Sequence, residues 1–205
     1  MKTYKPTSPG RRNMTVVSFK SVKKARPIRG LVKRLKTSAG RNSQGRITVR
    51  HQGGGHKKLY RVVDFKQGKR DVAAKVEGIE YDPYRTSFIA RILYKDGERS
   101  YILATDGMKK GNSVVNSDNA PFENGNRTVL KRIPIGTFVH NVEIFPGKGG
   151  QLGRSAGNAL QVLANEEGYT HLKMPSGEVR KVLWEGQGSI GKVSNSEHSL
   201  QVIGK

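Results

Sequence analysis

The first 63 residues contain neither Asp nor Glu. Residues 1–70 carry 21 Lys and Arg against one acid, Asp64, whereas residues 71–205 carry 17 against 15. Of the formal net charge of +22, +20 therefore falls in the first third of the chain. Such a segment cannot neutralise itself through intrachain ion pairs, and its like charges oppose compaction. It needs an external polyanion. Phosphates are the leading class, because Lys and Arg gain affinity by releasing the counterions condensed on them. A cleaved transit peptide is also basic, but Pro6, Pro9, Gly10, Pro27 and Gly30 interrupt any helix and the basic character runs on to Arg61. Leu31, Val32 and Leu35 with Lys33, Arg34 and Lys36 make barely a turn and a half of amphipathic helix, too little for a membrane-surface anchor. No apolar run approaches the ~18–20 residues of a membrane span, so no membrane partner is expected. With no cysteine, disulfides, thiolate zinc sites and a cysteine nucleophile are excluded.

Residues 1–59 are rich in Lys, Arg, Ser, Pro and Gly without sustained periodicity, which predicts an extended arm that orders on its partner. From Tyr60 the texture changes to short β-like runs. Tyr60–Phe65, Val72–Ile79, Phe88–Tyr94 and Arg99–Leu103 read as strands, the last two joined by a hairpin at Asp96-Gly97. Thr137–Phe145, Tyr169–Met174, Val179–Trp184 and Leu200–Ile203 continue the pattern, with a turn at Pro175-Ser176-Gly177. Asn158–Asn165 is the single helix candidate. Many short strands at close spacing predict an all-β chain of two small barrels, with a boundary in the aperiodic stretch at 117–128. Trp184, Phe138 and Phe145 sit in strand patterns and are assigned to the core.

Three motifs carry chemistry. In Arg50-His51-Gln52-Gly53-Gly54-Gly55-His56-Lys57-Lys58-Leu59-Tyr60-Arg61, consecutive glycines let backbone amides approach a phosphodiester, and the cations and imidazoles beside them supply charge and stacking planes. A flexible linker with incidental charge is the plainer reading; a metal at His51 and His56 lacks a third ligand nearby. The second, Pro146-Gly147-Lys148-Gly149-Gly150-Gln151-Leu152-Gly153-Arg154-Ser155-Ala156-Gly157, lacks the Gly-Lys-Ser/Thr ending of a nucleotide phosphate loop. Gly153-Arg154-Ser155-Ala156-Gly157 fits the Gly-x-Ser-x-Gly pattern of a hydrolase elbow, yet the chain lacks the alternating strands and helices that elbow requires. A loop admitting a phosphate backbone beside Lys148 and Arg154 is the better reading. The third, Glu80-Tyr81-Asp82-Pro83-Tyr84-Arg85-Thr86, is a corner from which Arg85 can either meet a phosphate or pair with Asp82 or Glu80.

Together these strings resemble the bacterial-type large-subunit ribosomal protein L-two family over essentially the whole chain. Further strings carrying the likeness are Asp64-Phe65-Lys66, Tyr101-Ile102-Leu103-Ala104, Val139-His140-Asn141 and Pro175-Ser176-Gly177-Glu178. The resemblance implies a basic arm over 1–59, an OB-fold barrel over 60–125, an SH3-like barrel over 126–195, and in 196–205 the start of a C-terminal extension. Family chains usually continue past the position of Lys205 into a basic Gly- and His-rich extension, so no role of that extension is carried onto these residues. Tyr84 and Ala104-Thr105-Asp106 depart from the family's usual strings, which bears on turn shape.

The resemblance also implies a structural, non-enzymatic role in a cytoplasmic ribosome. The chain would bind large-subunit rRNA, support subunit association and the peptidyl transferase region, and meet neighbouring ribosomal proteins and the small subunit. The expected rRNA-binding residues are Arg50, His51, Gly53, Gly54, Gly55, His56, Lys57, Lys58, Arg61, Arg85, Lys148, Arg154 and Ser155. Within the family, arginines at the positions of Arg85 and Arg154 are tied to RNA binding. No catalytic residue, metal site or cofactor is expected, Mg2+ entering only with the rRNA. The rivals are a general single-stranded nucleic-acid-binding module, which also suits a basic OB-like barrel, and a hydrolase using Ser155.

Overall fold

The computed structural model describes residues 1–20, 22 and 25–204. The described chain is all-β. Its strands are β1 (Lys2–Thr3), β2 (Thr15–Val16), β3 (Val32–Lys33), β4 (Tyr60–Arg61), β5 (Ala74–Glu80), β6 (Ile89–Tyr94), β7 (Arg99–Leu103) and β8 (Ser113–Val114), then β9 (Arg127–Val129), β10 (Phe138–His140), β11 (Leu160–Glu166), β12 (Tyr169–Lys173), β13 (Val179–Leu183) and β14 (Gln187–Ile190). Three 3-10 turns, Arg29–Leu31, Leu130–Arg132 and Ser196–Leu200, are the helical content of the described residues.

Two antiparallel sheets form the bodies, in the orders β7-β6-β5-β8 and β13-β12-β11-β10-β14-β9. Their curled, barrel-like form is consistent with the expected OB-fold and SH3-like barrels. The first contains the β6–β7 hairpin, where Gly97 takes φ +87 and its N–H donates to Tyr94 O at 3.0 Å. Alternation along β6 and β7 sorts the side chains onto two faces. Ala90, Ile92 and Ile102 point into the main core with Val76, Phe88 and Val114. Ile89 and Tyr101 point the other way and are covered by Ile28 and Leu31 of the arm. The arm is thus hooked to the barrel. Val17 is buried in the first core, the Ile28 N–H donates to Tyr101 Oη at 3.1 Å, and Tyr101 Oη donates to Glu80 at 3.0 Å. The second body closes around Leu130, Val139, Val142, Leu160, Val162, Leu172 and Ile190.

Four expectations are corrected. Asn158–Asn165 is not a helix: Leu160 and Val162 alternate into the second core, and 160–166 forms strand β11, paired with β12 through a bulge between Val162 and Ala164. Leu200–Ile203 is not a strand. The Ser196–Leu200 turn consumes its start, and only Val202 bridges, to Thr15. The run 137–145 keeps strand form only through His140, because Asn141 turns left-handed at φ +49. The strand expected at 60–65 likewise ends at Arg61: the Asp64 carboxylate accepts the N–H groups of Lys66 and Gln67 and turns the chain. The aromatic assignments to the core also fail. Phe138 is 49% and Phe145 57% exposed, since Val139 takes the inward position on β10 and Phe145 follows the break at Asn141. Trp184 is half-buried with the Lys131 ammonium 4.7 Å over its ring.

The two bodies share a seam. Ser194 N donates to Ala104 O at 3.0 Å, Asp106 N to Lys192 O at 2.7 Å, and Thr105 bridges Val193. Residues after β14 therefore return to pair with the end of β7's sheet.

Two stability predictions follow from these contacts. Tyr101→Phe removes both the acceptor for Ile28 N–H and the donor to Glu80. It should lower stability by about 1–3 kcal/mol and speed hydrogen exchange at the Ile28 amide; unchanged exchange there would show that the arm is not anchored by this bond. His140 is fully buried with Nδ1 at 3.0 Å from Gly191 O, and burial pushes its imidazole down to about 4. The unfolded chain, with its histidine near the ordinary ~6.5, takes up a proton first as pH falls. His140 thus adds no slope above that value and should erode stability between there and about pH 4, by on the order of 3 kcal/mol in all. Urea titrations at about pH 7 and about pH 5 should show the loss, and His140→Gln should flatten it.

Candidate nucleic-acid interface

The arm presents its cations to solvent. Lys33, Arg34, Lys36, Arg41, Arg46, Arg50, Lys57 and Lys58 are exposed, and among the described residues no Lys or Arg before Lys69 pairs with a carboxylate. The ion pairs that Lys and Arg form among the described residues all lie from Lys69 on, among them Arg91 and Arg99 with Glu77 and Lys69 with Asp96 and Glu98. The missing carboxylates of the first third thus leave its described Lys and Arg before Lys69 without carboxylate partners in the chain, whereas the acids of the later chain satisfy some of the cations from Lys69 on.

The first motif is a turning, open stretch. His51 is left-handed at φ +59, and Gly53, Gly54 and Gly55 follow at +101, +73 and +80. A side chain on Gly53 would meet the Ala39 Cβ at 2.9 Å, so the run is built for glycine. Arg50, His51, Gly53, Gly54, Gly55, His56, Lys57 and Lys58 are all exposed. Gly54 through Leu59 line a cavity of about 590 Å³, with Arg34 and Leu35 opposite and Tyr84 at its side. Arg61 is turned back, its Nη1 donating to Leu59 O at 2.8 Å.

At the 80–86 corner, Arg85 is held rather than free. It pairs with the fully buried Asp82, donates to Tyr60 Oη at 2.9 Å, and lies 5.0 Å from the Tyr60 ring and 5.3 Å from the Phe65 ring. Of the two ion pairs the sequence allowed, the one with Asp82 is formed. Asp82 also accepts the N–H of Tyr84 at 3.0 Å, which fixes the corner.

The second motif meets this corner through Phe65. Arg154 is exposed and stacks on the Phe65 ring at 4.5 Å. The neighbouring Ala156 N–H donates to Thr86 Oγ1 at 3.1 Å. Phe65 itself is clamped from the second body, since its carbonyl accepts Gly150 N at 3.0 Å and Asn141 Nδ2 at 3.1 Å. A Cβ on Gly150 would lie 2.1 Å from Asn141 Oδ1, so only glycine closes this clamp. Two arginines from different bodies thus share one phenyl platform. Ser155 is exposed on the loop before β11; a strand rather than a helix follows it, so no nucleophile elbow forms.

Lys148 rides on a loop organised by a buried acid. Glu143 accepts Gly147 N at 2.9 Å, Gly149 N at 3.1 Å and Gln187 N at 3.4 Å, and pairs with Arg127 at 3.1 Å. Arg127 is wholly buried, donates to Asn141 O at 2.8 Å, and is pushed down from the ordinary guanidinium range by burial, an effect Glu143 opposes. Lys148 stands 5.5 Å over the Phe145 ring. The structure therefore gathers Arg85, Arg154 and Ser155 near the Phe65 platform, and joins the glycine stretch to them through Tyr84. Arg50 and His51 lie outside this gathering. Phe65, Tyr60, Asn141, Arg127 and Glu143 were not singled out by sequence reasoning, whereas Asp82 was named as a candidate partner of Arg85. Of those, Glu143 left a signal, as an acid between Val142 and Ile144 four residues before Gly147.

Unneutralised cations, glycine-lined approaches and stacked guanidinium groups on paired β-barrels define a polyanion-binding protein of the nucleic-acid class. Residues 28–116 match the family model for the RNA-binding N-terminal domain of Ribosomal Proteins L2, and residues 123–205 match that for the C-terminal domain. The chain is 54% identical over 201 residues to the large ribosomal subunit protein uL2 of Buchnera aphidicola subsp. Acyrthosiphon pisum, strain Tuc7, a match covering 98% of this chain and 74% of that protein. The counterparts in strains 5A and APS give the same identity and coverage. The chain belongs to the ribosomal protein L2 family.

Arg127→Met strands Glu143 without its cation and should cost about 3–5 kcal/mol of stability. Combining it with Glu143→Gln should restore a substantial part. Urea unfolding of both variants measures this; no recovery in the double variant would mean that the pair matters by packing rather than charge.

Proposed function

We propose that the chain is a structural constituent of the large ribosomal subunit that binds large-subunit rRNA through its arm and the Phe65 seam, without a catalytic site of its own. Family membership supports the rRNA-binding, ribosomal role. The observation that carries the site is the shared platform: Arg85 and Arg154, from different bodies, stack on one ring. Cations fixed in this way lose little side-chain entropy on meeting phosphate. Arg154, exposed and bonded only weakly to Gly150 O at 3.4 Å, has donors to spare for an anion. Arg85 already spends part of its fork on Asp82 and Tyr60. Its contribution is to hold charge and shape at the corner as well as to contact RNA.

In this reading Arg50, His51, Gly53, Gly54, Gly55, His56, Lys57, Lys58 and Arg61 follow the RNA backbone, and Lys148 with Ser155 extends the contact on the second body. The arm covers 1–59, the first barrel 60–125 and the second 126–195. Support of subunit association and of the peptidyl transferase region, and contact with neighbouring ribosomal proteins and the small subunit, are the finer roles that membership suggests. Mg2+ enters with the RNA.

Arg154→Ala should weaken binding to large-subunit rRNA by about 1–3 kcal/mol with an unchanged melting temperature. Arg85→Ala should weaken binding and also lower the melting temperature, because Asp82 loses its partner. Filter binding paired with thermal unfolding reads both. Undiminished affinity in Arg154→Ala would remove the platform from the interface. Equal affinity of the unaltered chain for random single strands and for rRNA would favour the general single-strand module.

A further inference from the structure

Beside Arg85 lies a cavity of about 380 Å³ whose walls come from three separate stretches: Phe19 of the arm, Tyr81 and Tyr84 of the 80–86 corner, and Asn195, His198 and Gln201 of the C-terminal segment. Its aromatic walls face water. Phe19 is 51% exposed, Tyr81 50% and Tyr84 39%, an arrangement that marks a contact surface when the rings cluster. The rings are braced. Phe19 meets Tyr81 edge-to-face at 5.6 Å and Phe88 at 5.9 Å, and Tyr84 meets Tyr60 at 5.6 Å. Tyr84 is also a wall of the cavity lined by Arg34, His56 and Lys57. One side chain therefore divides an aromatic cleft from a cationic one, which matches the division of a nucleotide into base and phosphate.

We propose that the aromatic cavity receives an unpaired base of the bound rRNA, turned out of its helix against Phe19, Tyr81 and Tyr84, with its flanking phosphates in the neighbouring cationic groove. The proposal rests on the rRNA-binding reading above and adds a mode of recognition to it. Paired A-form RNA hides its base edges in a deep, narrow groove, so proteins read RNA chiefly through unstacked bases laid on aromatic side chains. The cavity's size falls at the lower end of the roughly 300–1,000 Å³ typical of small-ligand sites, suited to one base with its ribose. The Gln201 amide and the His198 imidazole, both exposed, supply donors and acceptors at its rim, while Asn195 is tied to Thr86 O through Nδ2 at 2.6 Å. Arg85 beside it and the free cations of the arm suit an anionic chain rather than an apolar peptide.

The test uses the full chain bound to large-subunit rRNA, irradiated to cross-link unpaired bases at zero length, then digested and read by mass spectrometry. Single-nucleotide adducts are expected on the peptide carrying Tyr81 and Tyr84. Tyr81→Leu and Tyr84→Leu should each lower rRNA affinity on the order of 10-fold, the effect of losing one base stack, with heparin affinity unchanged. Tyr81→Phe, which keeps the ring, should retain rRNA affinity. Absence of adducts from that peptide, equal losses on rRNA and heparin, or full affinity in both leucine variants would overturn the base site, the last outcome leaving the cleft to a protein neighbour. An unaltered chain that does not prefer rRNA to heparin would instead overturn the rRNA reading itself.

Discussion

Burying a full guanidinium–carboxylate pair in the second barrel is the constraint from which the Phe65 seam is built. Two charges removed from water lose several kcal/mol of solvation each, and their attraction need not exceed that loss. Glu143 is consequently tied on every side: its carboxylate takes Arg127 and three backbone N–H groups, two of them from the glycine loop that carries Lys148. Arg127 in turn donates to Asn141 O, and Asn141 and Gly150 grip the Phe65 carbonyl. A chain of polar contacts thus runs from a buried charge to the platform on which Arg85 and Arg154 lie. Apolar residues of equal volume could fill the barrel, but they would leave the Gly147 and Gly149 amides of the loop without their acceptor.

A different balance governs the arm. Its cations repel one another, and its few apolar residues cannot form a core. Val17, Ile28 and Leu31 solve this by using the barrel's core and reverse face as theirs. The arm is accordingly tethered at its apolar points, while the stretch from Lys33 to Lys58 stays exposed with its charges unsatisfied. Tethering restricts where the charges can go without neutralising them, which reduces the ordering entropy left for the partner to offset.

How far the sequence could be read depended on whether the deciding interaction was local. The β6–β7 hairpin was legible because Asp96-Gly97 fixes its own turn, and the turn at Gly177 likewise. The all-β character followed from the spacing of short runs, and the polyanion partner from the missing carboxylates. Strand β11 was misread as helix because Asn158–Asn165 has apolar residues compatible with either period; pairing with β12, remote from its own residues, decided the matter. Strand β14, Gln187–Ile190, was invisible since it is polar and yet buried, its residues serving as partners for Arg127. Arg85 and Arg154 could be named as cations in suitable loops. That they share Phe65 could not, because the clamp joins residues 65, 141 and 150, separated in sequence by most of a domain.

Because the platform sits at the seam, the placement of Arg85 and Arg154 depends on how the two bodies pack. The Ala156–Thr86 and Ser194–Ala104 contacts bring the Arg154 loop and the Arg85 corner together. A ligand that bridged both guanidinium groups would stabilise this packing by mass action, in proportion to the logarithm of its concentration over its dissociation constant. The buried pair and the clamp therefore fix the platform from inside the second body. Free charge attracts any polyanion, whereas a fixed placement of Arg85 and Arg154 on one ring is the kind of arrangement on which discrimination among polyanions depends.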